Sequence, residues 1–182
     1  MQRSHSRAHL LGFTLVETLV AMFVLALGVV GAAATQVSSA RLREQAALES
    51  EAVQLAASLG ARMRVNVHQM ALPDAANPYL NFEYDAADGE PVAPPQQCFG
   101  PADCDPAGMA AFDLYDTARI VHGAFPGGRI AVCRDDGGAT SNWSCVGGSV
   151  APVVVKLGWR TRGRGGGPAP DATPFVTMVV AG

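Results

Sequence analysis

Glu17 is the residue whose placement asks most of chemistry. It is the only ionisable side chain between Phe13 and Ala34, in a run otherwise made of apolar and small residues with the uncharged Thr14 and Thr18. A run of this length suits a helix crossing a bilayer core, which needs about 20 apolar residues. A carboxylate that deep costs on the order of 2.5–3.5 kcal/mol on insertion scales, so an unpaired Glu17 is a poor component for a plain anchor. A partner lies within reach. Cutting the Gly12–Phe13 bond would create a free, positive amine four residues before the carboxylate, about one helical turn away.

The segment Gly12-Phe13-Thr14-Leu15-Val16-Glu17, after a short basic leader and ahead of an apolar run, resembles the class III signal of type IV pilins and pseudopilins. The resemblance implies that a prepilin peptidase cuts after Gly12 and methylates the new amine of Phe13. It also implies that Glu17 pairs with the N-terminus of a neighbouring subunit during filament assembly. Further on, Leu55-Ala56-Ala57-Ser58-Leu59-Gly60-Ala61-Arg62-Met63-Arg64-Val65-Asn66 resembles the L-A-x-x-L-A-E-R-M-R-A-N stretch of PilV-type minor pilins, the type IV pilus modification proteins. Gly60 and Ala61 depart from that pattern at its alanine and glutamate, so no role of that glutamate carries over. Ala110 and Asp113, followed by Phe125-Pro126-Gly127-Gly128, are similar to the family's A-x-x-D helix and L-P-G-G turn, with Phe125 in place of the leucine. The family implies a structural subunit taking part in assembly, priming or tip function of a pilus, and hence in twitching motility, adhesion or DNA uptake. Its partners would be other minor pilins, the major pilin and the inner membrane.

Other readings compete for the same stretch. Ala32-Ala33-Ala34 supplies an A-x-A cleavage site for a secretory signal peptide, but the apolar region exceeds the usual 7–15 residues and contains Glu17. A single-pass anchor explains the length and leaves the glutamate unexplained. A pseudopilin of a type II secretion system would share the signal and the long helix, and a membrane-anchored periplasmic enzyme or receptor would share the anchor.

The remaining reactive side chains form no constellation. Beyond the leader, His68 and His122 lie far apart in sequence without a cysteine or carboxylate at ligand spacing. Cys98, Cys104, Cys133 and Cys145 are spaced C-x5-C and C-x11-C with no C-x2-C pair, so neither a metal site nor a cofactor is expected. Nucleophile-elbow, P-loop and dinucleotide motifs are missing from the sequence, and the glycine-rich Gly163–Pro168 neither has their spacing nor opens a helix. The expectation is a non-enzymatic protein with no small-molecule substrate. One basic group stands out: Lys156, Arg160, Arg162 and Arg164 around Trp159. Positive charge beside an aromatic platform suits single-stranded nucleic acid. Strand alternation, however, puts Lys156, Arg160 and Arg162 opposite Trp159. A charged outer strand face over a buried Trp159 is therefore the reading adopted, with DNA a less favoured partner.

The elements that must position these groups follow from pattern. Residues 1–12 hold Arg3, Arg7, His5 and His9 and no acid, so removing them leaves the chain more acidic than its formal charge of -3. The basic leader places itself in the cytoplasm and the bulk of the chain outside, where the even set of cysteines can persist as disulfides. Both loops are short, and we expect Cys98–Cys104 and Cys133–Cys145 out of three possible pairings. No proline interrupts Phe13 to Leu72. After Thr35, Leu48, Ala52, Leu55, Leu59 and Met63 make an apolar stripe, with Glu51, Gln54, Ser58 and Arg62 on another face. Arg62 and Arg64 are expected as a solvated helix end. Residues 72–106 are rich in proline and aspartate and read as an irregular loop. Asp105-Pro106 opens a helix to about His122, ended by Gly123. Strands are expected at Arg129–Cys133, Trp143–Val146, Val153–Arg162 and Phe175–Val180, with Trp143–Val146 pairing with Ile130–Cys133 around a turn at Gly137-Gly138. The fold class is α+β, a long helix whose second half packs on a small antiparallel sheet, in the pilin-like manner. Its divisions are a leader over 1–12, an apolar helix over 13–35, an amphipathic helix over 36–71 and a periplasmic head over 72–182.

Overall fold

The computed structural model describes residues 14–100, 102–136, 142–160 and 176–181. Its first element, α1, runs from Leu15 to Val65 without a break, as the proline-free sequence allows. Two compact units divide the chain after Gln45. In the first, the helix is exposed from Leu15 through Leu42, and from Leu15 to Ala34 it is apolar or small on every side apart from Glu17 and Thr18. It is long and apolar enough to cross a membrane.

The second unit is an α+β domain. Helix α2 (Val67–Met70) follows α1 after a break at Asn66. A short strand β1 (Glu83–Asp85), helix α3 (Pro106–Ala124) and strands β2 (Arg129–Arg134), β3 (Val153–Gly158) and β4 (Val176–Ala181) complete it. The strands form one antiparallel sheet in the order β1-β2-β3-β4, so each strand pairs with its neighbour in sequence. Ala52, Leu55, Ala56, Leu59 and Met63 of α1 enter the core with Val121 of α3, with Ile130, Val132, Val153, Val155 and Leu157 of the sheet, and with Trp159 just beyond β3. Each large side chain fully buried there contributes about 1.5–3 kcal/mol, so the stripe on α1 is what holds the helix to the sheet.

Several expectations need correction. Residues 143–146 form no strand. The place beside β2 is taken by β3, with Ile130 opposite Leu157 and Cys133 opposite Val154, and the carbonyl of Ser144 instead turns to a lysine ammonium. The proposed turn at Gly137-Gly138 lies outside the described residues, as do Phe175, Arg162 and Arg164 and the loop between them. Residues 72–106 are not wholly irregular: they hold 3-10 turns at Asp74–Ala76 and Ala86–Asp88 as well as β1. Helix α3 starts as read, with Asp105 accepting from the Gly108 amide at 2.7 Å. It does not stop at Gly123, which stays helical. Phe125 ends it by turning extended ahead of Pro126, and the left-handed residue is Gly127 at φ 55°. Strand β3 is buried on both faces rather than one.

Candidate functional site

Between Thr14 and Thr35 the helix carries few polar groups, and its three threonine hydroxyls are absorbed by the helix itself. Thr18 and Thr35 donate their hydroxyls to the carbonyls of Leu15 and Ala32, at 2.9 and 2.8 Å. Thr14 caps the helix: its Oγ1 accepts from the Glu17 amide at 3.3 Å. Thr14-Leu15-Val16-Glu17 thus has the form of a capping box, in which the fourth residue's acid favours the positive end of the helix. That signal is legible in the sequence as S/T-x-x-E, and it places Glu17 at the start of the helix. The carboxylate itself has no side-chain partner among the described residues, and Glu17 stands exposed amid exposed Leu15, Val16, Leu19 and Val20. Gly12 and Phe13, the expected processing site, lie outside the described residues.

In the second unit, the Arg-Met-Arg segment closes α1 with Arg64 exposed as expected, but Arg62 is half-buried and paired. Arg62 holds Asp113 at 3.2 Å and Asp116 at 3.0 Å, tying α1 to α3. Arg64 donates to the Val180 carbonyl of β4 at 2.8 Å, and Met63 between them is fully buried. Buried Asp113 also accepts from the Tyr79 hydroxyl at 2.8 Å. Asn66 donates to that hydroxyl and to the Pro106 carbonyl, at 3.2 and 2.8 Å, so its side chain is committed at the break between α1 and α2. Burial above all, then the bond to Asp113, keeps the Tyr79 phenol protonated far beyond its ordinary range. Burial alone would raise the Asp116 carboxyl, but hydrogen bonds from Arg119 and Arg62 outweigh it and hold the group below its usual value. This is an interlocked structural network with no water-facing nucleophile.

The remaining sequence candidates separate rather than converge. His68 is exposed on α2, whereas His122 on α3 meets the Tyr84 hydroxyl through Nδ1 at 2.7 Å. No group of His, Cys, Asp and Glu among the described residues is arranged to hold a metal ion. Cys98 is bonded to Cys104, and Cys133 to Cys145. Of the basic row around Trp159, the two described members, Lys156 and Arg160, do not share an outer face. Trp159 is buried against Phe125 and Arg160 is exposed, but Lys156 is wholly buried and paired with Asp135 at 2.5 Å. A signal for this was present: Lys156 sits inside the continuous run Val153-Val154-Val155-Lys156-Leu157, and unbroken apolar runs mark strands covered on both faces.

An open groove of about 680 Å³ is lined by Phe82, Tyr84, Pro91, Pro94, Leu114 and Tyr115, among others. Its polar lining is Gln69, Glu83 and the side chains of Tyr84 and Tyr115, of which the Tyr84 hydroxyl is held by His122. The chain matches no family model, no curated protein and no solved structure.

Proposed function

We propose that this chain is a minor subunit of a type IV pilus, of the PilV type, anchored in the inner membrane before assembly and acting without enzymatic chemistry. The observation that carries the reading is the Leu15–Ala34 stretch of α1: a helix apolar or small around its circumference, with one carboxylate in its first turn, directly after a Gly12–Phe13 processing motif. Such a surface has two solvents available to it, lipid and other helices of the same kind.

The physical logic runs in two stages. A prepilin peptidase removes residues 1–12 and methylates the Phe13 amine, leaving cation and carboxylate about one turn apart. In lipid these charges compensate each other. In a filament core a neighbouring subunit supplies either charge, and a pair of good geometry is far less costly there than a lone ion. The apolar side chains from Leu15 onward give most of the adhesion, and Glu17 selects the axial register. The head is rigidified by two disulfides and the Arg62–Asp113–Tyr79 network, which suits a subunit that must survive transfer from membrane to filament.

Deleting the gene in its host tests the reading. Loss or alteration of piliation with exoprotein secretion intact is the expected result, together with the protein's recovery in sheared pili. Normal piliation with defective secretion would instead make it a type II secretion pseudopilin.

A further inference from the structure

Lys156 is the only lysine in the sequence, and it is fully buried on β3. An ammonium has three donors and no acceptor, and here three oxygens receive them. Asp135 Oδ2 lies at 2.5 Å, the Ser144 carbonyl at 2.5 Å and the Asn142 carbonyl at 3.1 Å. A planar guanidinium, with its five donors in a fixed fork, does not suit so compact a cage. The two carbonyls belong to a strap over residues 142–147, which covers the sheet face that carries Ala131, Val154 and Lys156. The strap is tied down at Cys145 by its bond to Cys133 of β2, at Trp143 by the Arg129 guanidinium 4.5 Å above its ring, and at Gly147 by its amide on the Arg134 carbonyl. Cys145 is exposed and Cys133 half-buried, so the covalent tie faces solvent while the ion it protects does not.

We infer that the Cys133–Cys145 disulfide is a redox lock on this strap: reducing it opens the strap and uncovers the Lys156 ammonium and the outer face of β2 and β3. The reductant is a dithiol. One of its thiolates attacks Sγ of Cys145, forming a mixed disulfide and releasing Cys133 as a thiolate that takes up a proton. The second thiol of the reductant then resolves the mixed disulfide, freeing the Cys145 thiol. The protein disulfide gains two electrons and the dithiol becomes a disulfide. With the tie gone, the described contacts of the two carbonyls are ones that solvent can replace, and the buried cation gains water when they leave. The head therefore presents a closed outer face only when oxidised.

The experiment uses the full chain in detergent, pulse-labelled with an amine-acetylating reagent and mapped by peptide mass. With a single lysine, the signal at residue 156 is unambiguous. Oxidised protein should leave Lys156 unlabelled. Mild dithiol, or the double variant Cys133→Ser/Cys145→Ser, should raise its labelling on the order of 100-fold, as loss of a loop-closing restraint on a local opening implies. Hydrogen exchange should meanwhile find the α3 amides still protected, and Cys98→Ser/Cys104→Ser should leave Lys156 unlabelled. Four results would overturn the inference: labelling in the oxidised protein, none after reduction, equal labelling in the Cys98/Cys104 variant, or loss of α3 protection along with the labelling.

Discussion

Gly60 of α1 and Val180 of β4 meet so closely that a Cβ built on Gly60 would stand 2.8 Å from the Val180 Cβ. Glycine is therefore a packing requirement here, even though it sits mid-helix, where it costs about 1 kcal/mol against alanine. The same close approach lets Arg64, one turn on, reach the Val180 carbonyl. The departure of Gly60 from the PilV-type pattern thus has a local physical reason.

Gly60→Ala should consequently destabilise the head. The gain in helix propensity is about 1 kcal/mol, whereas forcing a methyl against the branch carbon of a buried valine costs about 1–3 kcal/mol. Urea unfolding of the full chain in detergent should shift to a lower midpoint with unchanged slope. A higher midpoint would mean that β4 yields easily.

The Tyr79 hydroxyl links three elements through Asp113 and Asn66. Tyr79→Phe leaves the ring and removes those bonds, exposing a buried carboxylate to a poorer environment. A loss of about 1–3 kcal/mol is expected. Thermal melting would register it, and an unchanged midpoint would show that water replaces the hydroxyl without cost.

Asp116 gives the head an acid-side dependence. Its folded pKa lies below the ordinary 3.8, so its contribution is present in full above that value and is lost as pH falls through the lower, folded one. Stability should hold from neutral pH to about pH 5 and fall below about pH 4. Asp116→Asn should lessen that fall while lowering stability at neutral pH, as urea midpoints measured across the range will show.

The loop closed by Cys98–Cys104 carries Phe99 edge-on to Phe112, with ring centroids 4.6 Å apart. Cys98→Ser/Cys104→Ser should cost about 2–3 kcal/mol, most of it loop-closure entropy and the rest an aromatic contact held less firmly. Calorimetry of the variant checks the figure, and a melting point equal to that of the parent chain would contradict it.

Local pattern made much of this architecture readable. The apolar stripe from Ala52 to Met63 names its own buried face, and Asp105-Pro106 names a helix start, because both signals are set by residues a few positions apart. What stayed hidden depends on residues distant in sequence. Arg62 looks solvated until α3 brings Asp113 and Asp116 to it. Lys156 looks like an outer-face cation until the strap supplies two carbonyls. Trp143–Val146 carries no short-range mark that it would cap a lysine rather than extend the sheet. The groove beside Tyr84 and Tyr115 joins segments that no spacing rule connects.

Glu17→Val separates the proposed register role from simple anchoring. Replacing the carboxylate by an apolar side chain removes its insertion cost of about 2.5–3.5 kcal/mol, so membrane insertion and leader cleavage should persist. If Glu17 sets the register, the variant should accumulate in the inner membrane and be lost from sheared pili. Incorporation at parental levels would show the carboxylate to be dispensable.

Processing as a pilin, the proposal on which the function rests, would leave its clearest mark at the N-terminus. Intact-mass analysis of the protein recovered from its host membrane, with sequencing of the N-terminal peptide, identifies both the cut and any added group. The mature chain should begin at Phe13 and bear one methyl on its amine. A chain that still begins at Met1, or one that begins at Thr35 after cleavage at the A-x-A site, would contradict it.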